Sequence, residues 1–191
     1  VSSVAITFDD GYRDNYKYAF PMLMDIGVTA TFYVIAGLIA DKTMKPQLQT
    51  SDGLKMMTRE HIIEMSNAGM EIGSHTWSHY PLKYADKKMI RYELETSKKY
   101  LEDVLGKEVT SFSYPNGEVP QNIHKDELFD LFKEIGYSNV ATSKWGCITN
   151  QSLSLQLGRQ SVEVFDTPKD FKNKLKGKYD YLNFVQKIKG L

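Results

Sequence analysis

Cysteine is almost absent from this chain. Among 191 residues only Cys147 carries a thiol, which excludes an internal disulfide and any zinc cage built from cysteines. With no adjacent base to activate it, Cys147 reads as a small hydrophobe. Net charge is also absent: 24 Lys and Arg balance 24 Asp and Glu, so no field gathers nucleic acid or an anionic membrane. No apolar run approaches the ~20 residues of a membrane-spanning helix. Val1 opens the sequence without an initiator methionine or signal peptide, as in a trimmed or mature product, and the compartment stays open between cytoplasm and export. There is no internal repeat and no low-complexity linker, and the length suits one domain over residues 1–191.

What remains is an α/β alternation. Val4 to Phe8 reads as a buried strand, Asn15 to Ile26 as a helix with an irregularity at Pro21, and Val28 to Ile35 as a second strand. Ile39 to Met57 has no clear period and reads as a long loop. Thr58 caps a helix ending at Gly69, with His61, Ile62, Met65 and Ala68 on its inner side. Met70 to Ile72 is a short strand leading to Ser74 and two histidines. Asp86 to Leu105 is a long charged helix with Met89, Ile90, Leu94, Leu101 and Leu105 at helical spacing. Val109 to Tyr114, Lys125 to Ile135 and Tyr137 to Thr142 continue as strand, helix and strand. Later strands are expected near Ile148 and over Leu155 to Arg159, with a helix from Pro168 to Leu175. The basic stretch from Lys169 to Lys189 reads as a solvated helix face. Such alternation predicts a mainly parallel sheet or barrel, whose ligands collect at the carboxyl ends of its strands. Asp9, Asp10, His75, Pro115 and Arg159 all fall at or just after such ends.

Two adjacent aspartates at a strand end leave in different directions, so one can approach a metal while the other faces water. His75 and His79 are four residues apart and can present two imidazoles together, with Ser74, Thr76 and Ser78 suited to orient them. One carboxylate and two imidazoles form a three-ligand set for zinc with an open position, and the second carboxylate is free to act as a base. Taken singly, an Asp-Asp-Gly is a turn or a helix cap and a histidine pair is a surface or core feature without a metal. Together they point to metal-assisted hydrolysis.

Thr7-Phe8-Asp9-Asp10-Gly11 followed by His75-Thr76-Trp77-Ser78-His79 resembles the first two motifs of the polysaccharide deacetylase (NodB-homology) family of carbohydrate esterases, and the likeness runs from about Val4 to Arg159. The resemblance implies a distorted (β/α) barrel of about seven strands that removes N- or O-acetyl groups from sugars with a divalent metal. It makes Asp10, His75 and His79 the metal ligands and Asp9 the general base. Zn2+ is the first expectation, and Co2+, Ni2+ or Fe2+ suit the same donors. The partner implied is an N-acetylated glycan or polysaccharide.

The later motifs diverge. Ser113-Tyr114-Pro115-Asn116-Gly117 matches the family's Arg-x-Pro-(Tyr/Trp)-Gly segment at Pro115 and Gly117 only. The backbone N–H of Asn116 keeps the expected oxyanion-holding role, because a backbone donor survives a change of side chain. Ser113 stands where the family has an arginine that orients the aspartate. Leu157-Gly158-Arg159 resembles a Leu-x-Arg stretch of some members, so Arg159 is expected either to pair with Asp9 or to be an exposed structural arginine. Tyr114, Pro115 and Trp145 are the expected substrate-binding residues, Trp145 following Ser143-Lys144 where the family carries acids. No Leu-x-His follows His79, and His61 and His124 read as structural or solvated. The leaving amine would take its proton from Asp9, from an unrecognised side chain, or inefficiently. Alternatives to a deacetylase are a noncatalytic glycan-binding or assembly protein with a retained metal site, and a hydrolase of a non-sugar amide.

Overall fold

The computed structural model describes residues 3–41, 55–146, 148 and 156–180. Cys147, the centre of the expected long loop, Leu155 and the end of the basic stretch lie outside the described residues. Five parallel strands form one sheet in chain order: β1 (Thr7–Phe8), β2 (Thr31–Val34), β3 (Glu71–Ser74), β4 (Ser111–Ser113) and β5 (Asn139–Ala141). Each strand lies beside its neighbour in sequence, the order of a barrel, whereas a doubly wound sheet reverses direction at a switch point. Leu157 extends the series through a parallel bridge to Ala141, its N–H bonded to the Val140 carbonyl and its carbonyl to the Thr142 N–H, both at 2.8 Å. The described residues therefore show five strands and the start of a sixth position, against the seven or so expected.

The helices are α1 (Phe20–Asp25), α2 (Ala36–Ala40), α3 (Arg59–Asn67), α4 (Lys87–Leu105), α5 (Lys125–Ile135) and α6 (Pro168–Leu175). A π-helical turn over Asn15–Ala19 precedes α1, and Pro21 sits in the first turn after it, so the expected irregularity falls where proline lacks an N–H to give. Helix α2 was not expected. It is buried on nearly every side, and an apolar segment covered all round has no period to reveal it. On α4, Ile90, Leu94 and Leu101 are fully buried, while Met89 lies toward solvent. The Asp86 carboxylate caps the first turn by accepting from the Met89 N–H at 2.7 Å, and Gly106 ends the helix in the left-handed conformation at φ 67°.

Phe32, Val34, Ile72, Phe112 and Val140 form the apolar centre of the sheet, covered by Ile62 and Met65 of α3, the inner face of α4, and Leu128, Leu131 and Phe132 of α5. Truncating one such side chain, Leu94→Ala, costs about 2–5 kcal/mol because the packed surroundings close the cavity only in part. No helix of the described residues is long and apolar enough to cross a membrane. Because all five strands run the same way, the chain leaves β1, β3 and β4 along one edge of the sheet, and that edge receives Asp9, Asp10, His75 and Ser113.

Candidate metal centre and its carboxylate

Backbone geometry marks this edge before any side chain is considered. Among the described residues, those other than glycine with positive φ are Asp10 (72°), Thr76 (68°), His79 (61°) and Asn116 (55°), all within the three motif segments. Such conformations are costly for L-residues with a side chain and persist where surrounding structure enforces them. Gly11, at φ 80°, completes the turn after Asp10, and a Cβ there would press on Val34 at 3.1 Å.

The turn and the histidine loop bring Asp10, His75 and His79 together. Asp10 Oδ1 lies 3.2 Å from His75 Nε2 and 3.4 Å from His79 Nε2, and one ligand atom from each residue falls within 4.8 Å of the others. Bonds of about 2.0–2.1 Å to a tetrahedral ion place neighbouring donors about 3.3 Å apart, so the two carboxylate–imidazole separations suit such an ion. The donors are nitrogen and carboxylate oxygen, the set that zinc and its neighbours accept. His75 Nδ1 is 2.8 Å from the Ser113 carbonyl. A carbonyl can only accept, so Nδ1 carries the hydrogen and Nε2, turned toward Asp10, is the atom that could coordinate an ion. Both imidazoles are buried, while Asp10 keeps partial access to solvent. Burial pushes the Asp10 carboxyl up, but hydrogen bonds and charge from His75 and His79 outweigh it and hold the group well below the ordinary carboxylate range.

Asp9 faces a different partner. Arg159 reaches it from the segment after the Leu157 bridge and makes a bidentate pair, Nη1 to Oδ1 and Nη2 to Oδ2, both at 2.7 Å. The remaining guanidinium hydrogens are also used: Nε donates to the Thr142 carbonyl at 3.0 Å, Nη1 to Thr7 Oγ1 at 3.1 Å and Nη2 to Ser113 Oγ at 3.0 Å. An arginine has five N–H donors, and here each finds an acceptor, so the fork has one position. Ser113 Oγ also donates to Asp9 Oδ2 at 3.2 Å. For Asp9, burial again raises the pKa, and Arg159 with the charge of His75 outweighs it, so the net shift is downward.

Ser113 serves both halves of the site, its carbonyl orienting His75 and its hydroxyl joining Arg159 to Asp9. The sequence marked it only as a departure from the family pattern. Thr142 and Thr7 were likewise unremarked as partners of Arg159. Asn116 is exposed and follows β4 in a left-handed turn, with its carbonyl accepting from Ser143 Oγ. Tyr114 and Pro115 are both buried. The Tyr114 ring packs edge-on against Phe112 and Phe132. The structure thus places Tyr114, expected among the substrate-binding residues, with its ring in the core. Trp145 is half-buried with the Lys174 ammonium 5.7 Å from its ring centre. His61 closes a capping box with Thr58 and stacks on Tyr16, and His124 is an exposed residue at the start of α5, 3.7 Å from Asp126. Neither belongs to the cluster.

Known proteins carry the same arrangement of chain. The putative polysaccharide deacetylase YxkH of Bacillus subtilis (strain 168) is 30% identical over 159 residues, 83% of this chain and 51% of its own. Peptidoglycan-N-acetylmuramic acid deacetylase PdaA of the same organism is 26% identical over 142 residues, 72% of this chain and 45% of its own. The chain thus spans about half the length of the curated relatives it matches. Among solved structures, the Streptococcus pyogenes deacetylase PplD in complex with acetate superimposes with a TM-score of 0.75 at 26% identity, over 90% of this chain and 70% of that one. The polysaccharide deacetylase family itself matches residues 1–140, which takes in Asp9, Asp10, both histidines and the Ser113–Gly117 turn, and this chain belongs to that family.

Proposed function

We propose that the chain is a metal-dependent carbohydrate deacetylase that hydrolyses the acetyl group of an N-acetylated sugar in a glycan or polysaccharide. One observation carries the reading: a carboxylate fixed by a fully engaged arginine stands next in sequence to an Asp-His-His cluster of ligand geometry. A binding protein has no need of that second, oriented carboxylate. The printed name of one relative, an N-acetylmuramic acid deacetylase of peptidoglycan, supports an acetamido sugar as the substrate class.

In this reading Asp10, His75 and His79 hold a divalent ion, zinc first. When bound, the ion supplies Lewis acidity toward the acetyl oxygen and the attacking water. Asp9 takes the proton of that water as it adds to the acetyl carbon. Its carboxylate is poised for this, because the Arg159 fork keeps it ionised and aligned while Oδ1 retains a free lone pair. The Asn116 N–H, held by its left-handed backbone, donates to the oxygen that becomes negative. As the C–N bond breaks, the nitrogen must gain a proton, and with no histidine beyond His79 in the cluster, Asp9 returns the one it took. Acetate and a free amine leave. Trp145, half-buried after Ser143-Lys144, is the proposed aromatic face for a pyranose ring.

Acetate release from acetylated chito-oligosaccharides and from peptidoglycan tests the proposal directly. Activity should disappear after chelation, return with zinc, and fall about 10²–10⁴-fold in Asp9→Asn while zinc is retained. Zinc-loaded protein that frees no acetate from any acetylated glycan would show a glycan-binding protein instead.

A further inference from the structure

The histidine loop is held by an acid that the reaction does not use. Glu93 lies on the inner face of α4, between fully buried Ile90, Leu94 and Ser97, and is itself only 2% exposed. Burying a carboxylate among apolar neighbours is costly unless its oxygens are satisfied. Here Oε2 accepts from the backbone N–H groups of Trp77 and Ser78, both at 2.9 Å, and Oε1 accepts from Ser78 Oγ at 2.6 Å. Among the described residues, all its donors come from the two residues between Thr76 and His79.

The opposite side of the same segment is fixed by the start of α2. The Ala36 N–H donates to the Thr76 carbonyl at 3.1 Å and the Gly37 N–H to the Trp77 carbonyl at 2.8 Å. Trp77 is therefore pinned through its N–H by Glu93 and through its carbonyl by Gly37. Thr76 Oγ1 accepts from the His79 N–H at 2.9 Å, closing the turn. Thr76 and His79 both sit at positive φ, a conformation that the loop's own sequence does not favour and that external bonds must impose.

We propose that Glu93 is a positioning residue for the metal centre: by binding the Trp77 and Ser78 N–H groups it holds the left-handed turn that carries His79 to within ligand distance of Asp10 and His75. This rests on the reading of Asp10, His75 and His79 as metal ligands. A packing residue on α4 would act on stability alone. A positioning residue sets how well the folded loop presents its second imidazole, so it acts on metal affinity in protein that is already folded.

The probe is zinc alone, its affinity for chelated and repurified protein measured by competition with a chromophoric chelator. Thermal melting of the metal-free protein is followed in parallel. Glu93→Met keeps the volume but removes both acceptors, and the zinc dissociation constant should rise about 10–100-fold in folded protein. Glu93→Gln should restore affinity close to the parent, since an amide oxygen can accept both backbone N–H groups while its NH2 faces Ser78 Oγ. Should Glu93→Met fail to fold, Ser78→Ala deletes only the hydroxyl contact and should weaken zinc binding about threefold, the size of one hydrogen bond. A folded Glu93→Met, or a Ser78→Ala, that binds zinc like the parent overturns the inference even if its melting point falls. A parent that binds no zinc instead overturns the metal reading on which the inference stands.

Discussion

The two edges of the sheet use the same device to different ends. At the amino edge, Glu71 at the start of β3 bridges three strands, accepting from Thr31 Oγ1 of β2 at 2.9 Å and from Ser111 Oγ of β4. At the carboxyl edge, Asp9 joins β1 to β4 through Ser113 and to Arg159 beyond β5. Both are carboxylates tied to serine hydroxyls across parallel strands. Around Glu71, however, the partners are neutral hydroxyls and the backbone is relaxed. Around Asp9 stand a guanidinium, two imidazoles, a second carboxylate and a turn at positive φ. A staple needs satisfied acceptors; a site that moves protons, the role proposed for Asp9, also needs charge and a lone pair left in reserve.

The sharpest way to break that contrast is to disable the carboxyl edge. Asp9→Asn should lower acetate release by about 10²–10⁴-fold, the worth of a general base, with bound zinc unchanged in metal analysis. Loss of zinc together with activity would mean that Asp9, too, is a ligand. Arg159→Met should lower turnover by up to about 10²-fold, since a base freed from its fork loses alignment. The same change removes the hydrogen bonds and charge of Arg159 and leaves burial and the Asp10 charge, which raise the Asp9 pKa, opposed by the His75 charge alone. Asp9 must be ionised to work, so the acidic limb of the pH–rate profile moves to higher pH. Stability follows the same sign. A carboxylate whose folded pKa is depressed contributes above its unfolded pKa and loses that contribution as pH falls through the folded value. The melting-point gap between parent and Arg159→Met should accordingly be widest at neutral pH and shrink in acid. An unshifted limb and a constant gap would remove Arg159 from control of Asp9.

The amino edge should answer in the opposite manner. Glu71→Ala leaves the buried Ser111 hydroxyl without its acceptor and should cost about 1–3 kcal/mol in chemical denaturation, while zinc binding and turnover stay at parent values. A fall in turnover per folded molecule would mean that the two edges are coupled through β3 and β4. The smallest effect belongs to His124→Ala. Exposed at the start of α5 and 3.7 Å from Asp126, it should leave acetate release unchanged at every pH, and a loss on the alkaline side would identify it as the missing acid.

Much of this was legible in the chain, because the signals were local. Helices α4, α5 and α6 begin and end within a residue of their expected bounds, since caps such as Asp86, Gly106, Gly136 and Thr167 are written beside them. Strands β1, β2, β4 and β5 came out shorter than expected, because a parallel pairing ends where the neighbouring strand ends and not where apolar residues do, while β3 runs two residues past its expected end to Ser74. Helix α2 escaped because burial on all sides erases amphipathic spacing. Glu93 was readable in principle: it stands between Ile90 and Leu94 on the apolar stripe of α4, and a charge on a buried face signals a hidden partner.

For the site, the sequence by itself determined the residue types and their place at strand ends: Asp9 and Asp10 after one apolar run, His75 and His79 after another. These follow from periodicity and from motifs a few residues long. The family resemblance already set Asp10 with the imidazoles and Asp9 apart from them; only the tertiary structure decided between the two expectations for Arg159 and placed it on Asp9, 150 positions away. It also turned Tyr114 inward and made Ser113 the hinge between the two halves. Those choices depend on the register of parallel strands and on the backbone angles of Asp10, Thr76 and His79, quantities set by packing across the sheet and not by neighbours along the chain.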